Sequence, residues 1–165
     1  MSTSPSARAQ IDPRGPQFTA ALTSVVLAVV LLSAPQTLGT TLLVVQALLF
    51  ALGATLGVQR TPVAWLFKSF VRPRLAAPSH LEDAAPPRFA QTVGLAFAVV
   101  GLAGYLSGAT LVGAIATGFA LAAALLNAVF GFCLGCELYL LIRRIAPNRR
   151  DAVAPESSEK KEAFV

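Results

Sequence analysis

Two long stretches of the chain carry no charge. Gly15–Gln59 and Phe89–Cys136 contain no Asp, Glu, Lys, Arg or His. Each is more than twice the roughly 20 residues that a helix needs to cross a bilayer. A soluble domain is roughly one quarter charged, whereas this chain is 13% charged and 55% hydrophobic, with a mean hydropathy of +0.68. That balance excludes a disordered chain, a disulfide-dense secreted scaffold and an ordinary soluble domain. The expected class is an all-α membrane protein.

Each uncharged stretch is long enough to cross twice. The first breaks at Ser33-Ala34-Pro35-Gln36-Thr37, the second at Ser107-Gly108. This predicts transmembrane helices near 17–34, 37–58, 89–107 and 109–142, in a four-helix membrane domain over 17–145. Residues 1–16 read as a mobile arm and juxtamembrane turn, and 146–165 as a disordered charged tail. A cleaved leader is the competing reading of helix one. Pro35 and the apolar run that follows at once argue against it.

All 13 basic residues fall outside those helices or at their ends. Arg8 and Arg14 precede helix one. Arg60, Lys68, Arg72, Arg74 and Arg88 lie in the central segment, and Arg143, Arg144, Arg149, Arg150, Lys160 and Lys161 at the C-terminal end. Four crossings put all three groups on one side, and neither hairpin tip carries a basic residue. By the positive-inside rule that side is the cytoplasm, with both termini in it, as expected of a multi-pass protein of the cell membrane.

In the central segment, Thr61 suits an N-cap and Pro62 a first helical position. Val63, Leu66, Phe67 and Phe70 then share one face, and Trp65 is an interfacial residue type. This predicts a short amphipathic cytoplasmic helix near 62–72, lying on the bilayer between helices two and three. The following residues read as a loop. Small residues at spacing four (Gly53/Gly57, Gly104/Gly108, Gly131/Gly135) predict close helix packing in a four-helix bundle and are also compatible with a homo-oligomer. Gln46 and Asn127 need partners inside the membrane and are candidates for each other. The isoelectric point of about 9.9 does not imply nucleic acid, because the basic residues flank apolar spans as anionic lipid and topology require.

The only two cysteines stand three residues apart, in Phe132-Cys133-Leu134-Gly135-Cys136-Glu137. On a continuous helix they share a face. The spacing suits a dithiol that closes to a disulfide, accepts a persulfide or holds a soft metal ion. Metal is the weakest of these, since two thiolates leave the coordination shell incomplete and the one methionine is Met1. No cofactor is implied. The pair falls near the inner boundary, where the compartment is reducing and a static disulfide is not expected. Arg143, seven residues on, favours a thiolate at Cys136, which is then the attacking thiol with Cys133 resolving. Glu137 opposes it. Simple packing of two small side chains is the competing reading.

The stretch Asp12-Pro13-Arg14-Gly15-Pro16-Gln17-Phe18 together with Phe132-Cys133-Leu134-Gly135-Cys136 resembles a bacterial, mainly actinobacterial, four-helix membrane family, domain-of-unknown-function family 4395. The resemblance covers about residues 10–145. It implies no assigned activity. It does imply an association with thioredoxin-like and rhodanese-like soluble proteins, and so thiol-redox or sulfane-sulfur exchange through Cys133 and Cys136, with Asp12 and Arg14 docking at the same surface. The outline is also similar to vitamin K epoxide reductase, but the additional loop cysteines of that enzyme are missing. Two other readings remain: a non-catalytic scaffold that recruits partners through the central loop and tail, and a small transporter subunit with Gln46 and Asn127 lining a path.

Overall fold

The computed structural model describes residues 9–78 and 80–145. Four helices are long and apolar enough to cross a membrane: α1 (Arg14–Ser33), α2 (Thr37–Leu56), α4 (Ala85–Leu106) and α5 (Thr110–Phe130). Between α2 and α4 runs the short α3 (Pro62–Leu66), continued by a wider helical turn over Phe67–Val71. After α5 comes α6 (Leu134–Ile145). The chain is an all-α membrane protein. The membrane helices close a ring in which α1 packs on α2 and α5, and α4 on the same two. The core holds Leu27, Val30, Leu43, Phe50, Ala98, Tyr105 and Ala120. It is small because at most a third of each spanning window is buried. The rest of the apolar surface, with Leu32, Leu106 and Leu111 more than 70% exposed, is what hydrocarbon rather than water would cover.

The basic ends converge, and local chemistry explains how. Arg88, in the first turn of α4, donates to the carbonyls of Ala54 and Thr55, both at 2.6 Å. It thereby satisfies the open C-terminal carbonyls of α2 with a cation, as the helix dipole favours. Gln17 of α1 donates to the Ala128 carbonyl of α5 at 3.1 Å. Thr61 caps α3, accepting from the Ala64 amide at 3.1 Å, with Pro62 in the first turn. Phe67 turns inward, 4% exposed, against Phe18 at 5.7 Å between ring centroids. Trp65, Leu66 and Phe70 remain exposed on the outer side. The α3 segment is therefore pinned by one aromatic and offers the others to the bilayer interface.

Several sequence expectations are corrected. The predicted helix over 109–142 is two helices. Gly131 takes the left-handed conformation (φ 68°), its amide bonding to the Asn127 carbonyl and that of Phe132 to the Leu126 carbonyl. This double bond pattern ends a helix, and glycine adopts it without a Cβ clash. The expected mobile arm 1–16 is ordered where it is described: Gln10–Ile11 (β1) pairs antiparallel with Glu82–Asp83 (β2), and α1 begins at Arg14. The same pairing puts strand into the expected loop. Residues 1–8 and the predicted tail 146–165 lie outside the described residues. In each glycine pair, one member packs and the other ends or turns the chain. A Cβ on Gly53, Gly104 or Gly135 would collide with Gln91, Gly113 or Ala90 respectively, whereas Gly57, Gly108 and Gly131 have positive φ and open space.

Candidate functional site: a cysteine pair at a helix N-terminus

After the break at Gly131 the chain restarts as α6, and Cys133 stands immediately before its first residue. The Cys133 carbonyl accepts from the amides of Cys136 and Glu137, both at 3.0 Å. Its Sγ also accepts from the Cys136 amide at 3.3 Å. The sulfur therefore occupies the N-cap role usually filled by a Ser or Asp oxygen. Cys133 and Cys136 are joined in a disulfide, with Cα atoms 5.2 Å apart. Both are partly exposed. The geometry suits reversible closure: one turn of backbone holds the two sulfurs together, and the Cys136 amide that bonds the Cys133 sulfur in the disulfide would also bond a thiolate there.

This revises the expected arrangement in three respects. The cysteines do not share a face of one continuous helix, because Cys133 precedes α6. The expected attacking thiol, Cys136, is the third residue of α6, and its sulfur is bonded to that of Cys133 at the same positive end, so what favours Cys133 is the Cys136 amide that donates to its sulfur. Arg143 does not compensate. Seven residues along a helix is about 10 Å, close to the distance at which salt screens exposed charges. Arg143 and Tyr139 instead line a surface hollow with Gly57, Arg60, Asp83 and Arg88. Glu137 sits in the first turn of α6 and is exposed. There its charge suits the helix dipole and competes with a thiolate at Cys133.

The position of the pair follows from α5. Its 21 residues extend roughly 31 Å, enough for a hydrocarbon core of roughly 30 Å. Cys133 lies just beyond that length, beside the basic ends of α1 and α4. Gly135 of α6 rests on Ala90 of α4, and Tyr139 on Phe89 at 5.7 Å. A neighbouring stripe of α6 carries Leu134, Leu138, Leu141 and Ile145, all more than 40% exposed. A helix with one packed face, one exposed apolar face and Arg143 and Arg144 in its last turn lies along an interface.

Asp12 and Arg14 bond to each other. Asp12 Oδ1 accepts from the Arg14 amide at 3.0 Å and from its Nε at 3.1 Å. Arg14 also donates to the Ala76 carbonyl at 2.9 Å. The Asp12 side chain is only 9% exposed, so it is no part of an outer docking surface. Burial pushes its carboxyl up, but the Arg14 hydrogen bonds and the charges of Arg14 and Arg72 outweigh this and hold it below its usual value. Gln46 bonds to the Thr23 hydroxyl at 3.3 Å rather than to Asn127. Among the described residues, no group of three or more His, Cys, Asp or Glu side chains converges.

A profile of a domain of unknown function, DUF4395, matches residues 11–144, from β1 to the last turn of α6. No curated protein and no solved structure matches the chain.

Proposed function

The chain belongs to the DUF4395 family, and we propose that this membrane domain of unknown function exchanges thiols and disulfides through Cys133 and Cys136. One observation carries the reading: the Cys133 sulfur caps α6 while bonded to Cys136. In the reduced form the Cys133 thiolate attacks a partner disulfide. One partner sulfur forms a mixed disulfide with Cys133, and the other leaves as a thiolate. The Cys136 thiolate then attacks Cys133 Sγ, closes the intrachain disulfide and releases the second partner thiol. Two electrons pass from the pair to the partner, and a soluble dithiol of the thioredoxin-like class restores the pair. A rhodanese-like donor would use the same thiol as acceptor of sulfane sulfur.

The side of the membrane follows from charge. The cysteines share one end of the bundle with Arg14, Arg60, Arg72 and Arg88, which the positive-inside rule assigns to the cytoplasm. The test uses purified chain, reduced and then challenged with oxidised glutathione. Cys136→Ser should accumulate a stable mixed disulfide on Cys133, read by mass. Cys133→Ser should form its adduct about tenfold more slowly, since the amide bond and helix N-terminus at Cys133 raise the ionised fraction of that thiol at neutral pH. Equal, slow reaction of both variants would overturn the proposal and favour a scaffold in which the cysteines only pack.

A further inference from the structure

A cavity of about 330 Å³ opens between α1 and α2 at the basic end, under α3. This lies within the size range of small-molecule sites, about 300–1,000 Å³. Leu22, Val26, Leu49 and Phe67 form apolar walls, and Leu22 is also 37% exposed on the bilayer-facing surface. Asp12, Lys68 and Arg72 stand at the basic end. The cavity is thus mostly apolar away from its rim, with Thr19, Thr23 and Gln46 also in its lining, and carries charges of both signs at the interface.

One atom there is unexplained. Asp12 Oδ2 is buried and has no hydrogen-bond partner among the described residues, while Oδ1 is engaged by Arg14. A buried carboxylate oxygen without a donor costs of the order of 1–3 kcal/mol or more, and Asp12 remains charged because its carboxyl is held low. The oxygen calls for an N–H or O–H donor. Cations stand on the same rim: Lys68, whose Nζ reaches the Gln59 carbonyl at 3.2 Å, and Arg72, whose charge is felt by Asp12. One anion and two cations above an apolar groove complement a zwitterion with an apolar tail.

We propose that this cavity binds an aminophospholipid: the ammonium donates to Asp12 Oδ2, the phosphate meets Arg72 and Lys68, and one acyl chain lies between α1 and α2. The site is separate from the cysteine pair and does not depend on the activity proposed for it. A trimethylammonium head cannot satisfy Asp12, because it has no N–H. A glycerol head offers hydroxyls but no cation.

The experiment is native mass spectrometry of the full chain in non-ionic detergent, titrated with one dioleoyl lipid at a time. Phosphatidylethanolamine should bind about tenfold more tightly than phosphatidylcholine, the discrimination expected of one hydrogen bond to a charged group. Soluble phosphoethanolamine at the same concentrations should not bind; if it bound as tightly as the lipid, the site would be one for a free zwitterion and the lipid proposal would fail. Asp12→Asn keeps an oxygen that can accept from the Arg14 amide and should erase the ethanolamine preference. Thr19→Phe, which fills the cavity, should weaken both lipids alike. Equal binding of the two lipids by the unaltered chain overturns the proposal without recourse to any variant, as does a preference that survives Asp12→Asn.

Discussion

Under limiting alkylation of the reduced chain, Cys133 should be modified before Cys136, and the order should be visible by peptide mass. The reason is local: the Cys133 sulfur accepts from the Cys136 amide at the positive end of α6. Asp12 makes a second prediction at this scale. Its carboxyl is lowered in the folded chain, so the stability it contributes is complete above the ordinary carboxylate value and is lost as pH falls through the lowered one. The melting temperature should therefore drop in that acid window, and Asp12→Asn should flatten the drop, as measured by thermal unfolding in detergent. The sequence singled out Asp12, Arg14 and the cysteine pair. It could not assign their work. Asp12 reads as a docking residue until its bonds to Arg14 and the wall of a cavity account for it.

At the scale of elements, glycine spacing has two physical meanings that look alike in one dimension. Gly131 and Gly135 are four apart, as a helix-packing pair would be, yet only Gly135 packs. Gly131→Ala should cost about 1 kcal/mol of stability through its positive φ alone, since open space surrounds it. Gly135→Leu meets the Ala90 side chain and backbone and should push α6 off α4. The expected result is a normal spanning bundle with altered Cys133 and Cys136 reactivity, checked by thiol kinetics beside circular dichroism. Thr61→Val should loosen α3 by about 1 kcal/mol, the usual value of a lost cap, while Thr61→Ser should be nearly silent. The α3 cap was legible because Thr-Pro before an apolar periodic run has one local reading. The break before α6 was not, because a continuous apolar run hides the point where a helix stops.

For the whole molecule, the consequence of charge placement is a sidedness that labelling can measure. In a Cys133→Ser/Cys136→Ser background, Gln36→Cys at a hairpin tip should react with a membrane-impermeant maleimide in intact cells. Ser69→Cys beside the basic rim should react only after lysis, and the reverse pattern would invert the orientation inferred from the positive-inside rule. The number of crossings needed no tertiary information. An unpaired charge in hydrocarbon is costly wherever it lies, so two uncharged stretches with polar breaks already require two hairpins. What only tertiary structure decided was the choice among partners. Gln46 meets Thr23 and not Asn127, Phe67 alone of its helical face is fully buried, and the Asp12 oxygen faces a cavity that no single segment encloses. Solvation by lipid or water acts on each residue singly and is written along the chain. Hydrogen bonds and close contacts join residues distant in sequence, and they exist only once the helices have met.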